Sequence, residues 1–86
     1  MKKTAKELFA AAFAGPRDPR SAEYKAGVLA ALKFYLGEAA TVGPCPYPLG
    51  SARQDAWLAG TNEGHDRGRA YLDQWRYADG NQGRRA

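Results

Sequence analysis

The chain has a single cysteine and a single histidine, which removes two common ways of holding a small protein together. Cys45 alone excludes an internal disulfide framework, and Cys45 with His65 cannot fill a four-ligand zinc site. No Gly-Lys dipeptide occurs, so the phosphate-cradling pattern G-x-x-x-x-G-K-[ST] is missing. No apolar run nears the roughly 20 residues that span a bilayer. In the opening MKKTAKELFAAAFAG, Glu7 interrupts the apolar stretch and only Leu8 to Ala14 continues it, so a secretory leader is not expected. These absences point to a protein of the reducing cytoplasm, without metal or cofactor and without a membrane partner. A chain of 86 residues forms one domain with a thin core, which suits a binding module better than an elaborate enzyme.

Charge is unevenly placed. The formal net charge is +4, and residues 1–33 hold seven Lys or Arg against three acids, whereas residues 34–86 hold six against six. A basic amino-terminal third suits a polyanion such as RNA, because each phosphate contact releases counterions. An ordinary solvated basic surface has the same composition.

The apolar spacing predicts an all-α fold over residues 1–78: a short amino-terminal helix and a two-helix hairpin joined by a proline-rich connector. Thr4 and Glu7 form a Thr-x-x-Glu capping box for a first helix over 4–14, which Gly15-Pro16 stops. Asp18 before Pro19 reads as the start of a second helix, 19–40. On it Ala22, Ala26, Leu29 and Leu36 form one apolar line, and Tyr24, Val28, Ala31, Leu32, Tyr35 and Ala39 lie beside it. The stretch TVGPCPYPLG cannot be helix, since its prolines remove backbone donors and push the preceding residues toward extended conformations. Ser51 with Gln54 then caps a third helix over 52–77. The end, 79–86, has no apolar periodicity and reads as a disordered tail.

Along the third helix Ala52, Ala56, Gly60, Gly64 and Gly68 recur every four residues, with Leu72 continuing the line. Each helical glycine costs about 1 kcal/mol relative to alanine, so three in one stripe need a compensation. Close approach of another backbone supplies one, and the Ala-rich second helix is its natural source. The alternative is a helix loosened near residues 60–64. Glu63 to Arg67 and Arg69 to Asp73 have the spacing of solvated pairs on the outer face.

Little here points to catalysis. His65 and Asp66 are adjacent, so on a helix they diverge rather than face each other, and His65 reads as an exposed residue. Cys45 lies between prolines with no activating base in sight and reads as a small buried residue. The aromatic residues say more. Tyr47, Trp57, Tyr71, Trp75 and Tyr77 lie among Arg53, Arg67, Arg69 and Arg76, the mixture that single-stranded RNA recognition uses for stacking and phosphate contact. Tyr47 and Trp57 are also suited to locking the connector against the helices.

Tyr24-Lys-Ala-Gly27, then Cys45-Pro46-Tyr47, Arg53 and Trp57-Leu58-x-Gly60 together resemble the pattern of the ribosome modulation factor family. The resemblance covers roughly residues 20–68. It implies two helices on a stiff connector and a small basic protein that binds the small ribosomal subunit near the 3′ end of its 16S-type RNA, inhibiting or storing ribosomes under stress. Carried onto this chain, Tyr24, Gly27, Cys45, Pro46 and Gly60 are motif residues of the scaffold, which Gly64 extends. Arg53 and Tyr47 are expected RNA contacts, with Lys25, Arg20, Trp57 and Arg67 beside them. The chain adds an amino-terminal helix to the pattern, and Thr61 follows Gly60 where the pattern has tryptophan. One branch of the family is linked to fluoroquinolone resistance through ATP-dependent drug phosphorylation, for which this sequence offers no phosphate cradle.

The leading expectation is therefore a non-catalytic ribosome-binding protein. A second is a protein-binding or inhibitor module of a mobile element on the same scaffold, or a homodimer, using Leu8, Phe9 and Phe13 of the first helix.

Overall fold

The computed structural model describes residues 3–17 and 19–78, with side chains as far as residue 74. Among these residues the fold is all-α, with α1 at Ala5–Ala12, α2 at Ala22–Tyr35 and α3 at Ala52–Ala78. The expected tail at 79–86 lies outside the described residues, as do the side chains of Trp75, Arg76 and Tyr77.

Caps set the boundaries. The Thr4 hydroxyl accepts the Glu7 N–H at 3.2 Å while the Glu7 carboxylate accepts the Thr4 N–H at 2.7 Å, so both halves of the capping box are present. The second helix begins three residues later than Pro19, because Ser21 accepts the Tyr24 N–H at 3.1 Å and takes the capping role. It also ends at Tyr35 rather than at 40. Gly37 turns into the left-handed region at φ 77°, and the N–H groups of Gly37 and Glu38 close back on the Phe34 and Lys33 carbonyls at 3.2 and 2.8 Å. The GEAA stretch, residues 37–40, therefore lies beyond the helix.

The connector finishes in a tight turn at Pro48–Ser51. Gly50 has φ 79°, and the Pro48 carbonyl accepts the Ser51 N–H at 3.1 Å and the Ser51 hydroxyl at 2.7 Å. Ser51 accepts the Gln54 N–H at 3.1 Å, and Gln54 reaches back to the Gly50 N–H at 2.6 Å. The prolines thus deliver the chain, already turned, to the start of α3.

The glycine stripe is a packing device. A methyl built on Gly27 would overlap the Trp57 carbonyl oxygen and lie 2.9 Å from the Thr61 nitrogen, and one built on Gly60 would overlap the Tyr24 carbonyl oxygen. Gly64 meets Val28 and Ala31 in the same way, and Gly68 meets Tyr35. As the number rises along α2 it rises along α3, so the two helices run in the same direction and the connector carries the chain back between them. The α3 helix is continuous through residues 60–64. On α2 the face turned inward is Gly27, Val28, Ala31 and Leu32, whereas Ala22 and Ala26 of the expected apolar line are exposed.

α1 lies across this pair in the opposite sense, its start near Glu38 and Tyr71 and its end near Glu63. Ala5, Val28 and Leu32 are fully buried, with Leu8, Phe9, Phe13, Tyr24, Leu29 and Leu36 packed against them. The Phe9 and Phe13 rings pack tilted by 46°, 5.0 Å between centroids.

The close approach has a stability consequence. Gly60→Ala gains helix propensity yet must push the Tyr24 backbone away, so the variant is expected to lose at least about 2 kcal/mol. Gly15→Ala, with nothing within 4 Å of the added methyl, should stay within about 0.5 kcal/mol of the parent. Urea unfolding of the two variants checks the difference.

Candidate nucleic-acid interface

The half-buried centre of the basic region is an acid. Glu63, one turn beyond Gly60 on α3, is brought against α2 by the same close crossing, and its side chain is 15% exposed. One carboxylate oxygen accepts Arg17 Nη2 at 3.1 Å and the Tyr24 hydroxyl at 2.5 Å; the other accepts Arg17 Nη1 at 3.1 Å and Arg67 Nε at 2.6 Å. Arg17 also donates to the Ala12 carbonyl at 2.9 Å, where α1 ends and its carbonyls lack helical partners. One carboxylate thereby joins all three helices.

These contacts shift protonation in consistent directions. The Arg17 guanidinium, helped by the Tyr24 hydroxyl and Arg67, outweighs burial and holds the Glu63 carboxyl down at about 2. The Tyr24 phenol is raised, first by burial and then by donating to Glu63. Arg17 is raised through its hydrogen bonds to Glu63. Farther along α3, Arg69 is raised by its hydrogen bond with Tyr35. Arg69 also lies 3.9 Å from Asp66, three residues back, and both Asp66 and Asp73 add to the charge that raises it.

Around this centre the cations cover aromatic faces. The Arg17 guanidinium lies 4.4 Å from the Phe13 ring centre and Lys25 Nζ 5.5 Å from the same ring, while Arg20 lies 4.6 Å from the Tyr24 ring centre. Lys25, Arg20 and Arg67 are therefore one neighbourhood, linked through Phe13, Tyr24 and Glu63. Arg53 reaches its margin: it lies 3.6 Å from Glu23, but its side chain is 67% exposed, which leaves it open to a stronger anion.

The remaining expected contacts divide. Trp57 is 6% exposed, with its carbonyl against Gly27, so its ring belongs to the interior and offers no stacking surface. Tyr47 is half-buried in the connector, and no hydrogen bond, ion pair or ring contact joins it to the cation cluster. The motif residues Tyr24, Gly27 and Gly60, extended by Gly64, meet at the α2–α3 crossing, whereas Pro46 is exposed and Cys45 half-buried in the connector. His65 is half-buried rather than exposed, edge-on to Tyr35 at 5.2 Å, and among the described residues its buried Nδ1 has no hydrogen-bond partner.

Sequence reasoning missed Glu63 and Arg17. Glu63 stands beside the glycine line, at three residues from Gly60, and a charged residue flanking a backbone crossing cannot remain fully solvated. That position is the signal that could have found it. Among the described residues no group of three or more His, Cys, Asp or Glu side chains is arranged for a metal ion, and no helix is long and apolar enough to cross a membrane.

Because Glu63 has its carboxyl lowered from 4.5 to about 2, its stabilising contribution is present above pH 4.5 and is lost as the pH falls from there toward 2. Glu63→Gln is expected to cost about 2 kcal/mol at neutral pH, since Arg17, Tyr24 and Arg67 lose a charged acceptor. The gap between the two proteins should then close on acidification. Urea unfolding at pH 7, 4.5 and 3 measures it, and a gap independent of pH would show that the carboxylate charge carries no stability.

Comparison with protein-family models, with curated proteins and with solved structures gives no match for this chain.

Proposed function

We propose that the protein binds the RNA of the small ribosomal subunit and holds ribosomes inactive, as a non-catalytic relative of the ribosome modulation factor family. The observation that carries this reading is the convergence of the motif: Tyr24 and Gly27 on one side and Trp57 and Gly60 on the other, 30 or more residues apart in sequence, form one reciprocal contact between α2 and α3. A pattern whose members meet is a scaffold rather than a chance set of residues. Its outer side supports an anionic partner, because Arg20, Arg53 and Arg67 are exposed, the last two while paired with Glu23 and Glu63.

A second reading keeps the scaffold and changes the partner. Leu49, at the tip of the connector turn, is 91% exposed, and Phe34 and Leu58 also present apolar surface. These favour a protein partner, whose binding depends little on salt.

Sedimentation of the purified protein with ribosomes separates the two. The rRNA reading expects co-sedimentation with the small subunit that weakens steeply as salt rises, and an Arg53→Ala variant whose slope of log K against log salt is shallower by about 1. Absence of co-sedimentation at low salt contradicts it. Salt-independent capture of one protein, lost in Leu49→Asp, supports the second reading.

A further inference from the structure

α1 is the part of this chain that the family pattern does not contain, and it creates a groove that the pattern alone lacks. Between α1 and α3 run two adjoining cavities of about 330 and 420 Å³ that share Ala11, Ala12 and Arg67. Ala11 and Ala12 on α1 and Ala70 on α3 line this space with short side chains, Leu8 adds a larger apolar one, and Tyr71 crosses it only at the end where its hydroxyl accepts the Lys3 N–H. Lys3, Tyr71 and Gln74 stand at the end near the start of α1, and Arg17 and Arg67 at the other. An eight-residue helix is about 12 Å long, which sets the length of the groove.

Its charge is one-sided. Among the described residues no acidic side chain lines either cavity. Glu63, behind the wall, pairs with both arginines, one carboxylate to two guanidinium groups. Glu63 also fixes Arg67 by taking its Nε at 2.6 Å, and among the described residues the two terminal nitrogens of that guanidinium have no partner. A pre-oriented guanidinium with its terminal pair free matches the two oxygens of a phosphodiester. Beside it Gln74 offers an amide that suits the hydrogen-bonding edge of an unpaired base, and Tyr71, whose hydroxyl is already held by the Lys3 N–H, places an aromatic ring at the same end.

We propose that the α1–α3 groove seats one or two nucleotides of single-stranded RNA, with a phosphate on Arg67 and a base between Tyr71 and Gln74 over the alanine floor. The inference rests on the RNA reading above and places part of that contact on the added helix. An acidic peptide is the weaker fit, since an alanine floor gives its apolar side chains no pocket to anchor in.

The test uses the full chain and a fluorescently labelled single-stranded RNA of mixed sequence, with ribosome co-sedimentation in parallel. Ala70→Trp fills the groove from an exposed position on α3 and leaves every charge in place. It should weaken binding of the RNA about tenfold with the salt slope unchanged. Arg67→Met should weaken binding and make the slope shallower by about 0.7. Ala11→Trp, which fills the same groove from α1, guards against a folding defect in the first variant, and both are checked by thermal melting. Binding of RNA and ribosomes by the parent, unchanged in Ala70→Trp and Ala11→Trp, overturns the groove and leaves the RNA reading standing. Absence of RNA and ribosome binding in the parent overturns both. Displacement of the groove's ligand by poly-glutamate but not by unlabelled RNA identifies an acidic protein segment as the occupant and also overturns the proposal.

Discussion

Two peptide carbonyls occupy the places where the side chains of Gly27 and Gly60 would begin, and from that contact most of the architecture follows. Helices that touch through backbone lie closer than the usual 8–10 Å set by side chains. Large residues are then confined to the flanks of the crossing, which is why Val28, Leu32 and Trp57 are buried there while the line between them is glycine and alanine. Buried Thr61 fits the same constraint: it stands beside Gly27 and satisfies its hydroxyl locally by donating to the Leu58 carbonyl at 2.7 Å. The parallel sense of the pair imposes a second demand. The chain must travel back the length of α2 before α3 can start, and a stiff proline-rich segment ending in a tight turn does this without needing a core of its own.

α1 is held differently. Its apolar contribution is Ala5, Leu8, Phe9 and Phe13, and its two ends are fixed by polar groups from distant parts of the chain. At the start, the Glu38 carboxylate accepts the Ala5 N–H at 2.8 Å and the Tyr71 hydroxyl accepts the Lys3 N–H at 2.6 Å. At the end, Arg17 meets the Ala12 carbonyl. Negative charge at the amino end and positive charge at the carboxyl end both complement the helix dipole. An eight-residue helix has little stability by itself, so these tethers, with Glu63 behind Arg17, decide where it lies. The groove that α1 forms with α3 is therefore governed by the same carboxylate that gathers the basic residues.

Much of this was legible in the sequence where the cause is local. The Thr4–Glu7 box, the Ser51–Gln54 cap and the helix-free proline segment depend on neighbouring residues, and each lies where its pattern puts it. The glycine stripe was legible too, because a repeated cost in helix propensity implies a contact that offsets it. The start of α2 was not: Asp18-Pro19 and Ser21 both carry cap chemistry, and packing of Tyr24 against Gly60 selects the later one. The role of Glu63 was hidden because its spacing to Arg67 is also that of an ordinary surface pair. Only the depth of the crossing distinguishes them. Trp57 was read as a candidate contact for a similar reason, since an aromatic beside arginines has the same spelling in an interface and in a core.

The claim on which the account depends is that α2 and α3 cross in the same direction through glycine. Through-space proton contacts in the nuclear magnetic resonance spectrum of the full chain test this most directly. The account predicts contacts from Gly60 to Tyr24, from Gly64 to Val28 and Ala31, and from Gly68 to Tyr35, rising together along both helices. Contacts in the reverse order, with Gly68 against Tyr24, or no contact between the two backbones, would contradict it.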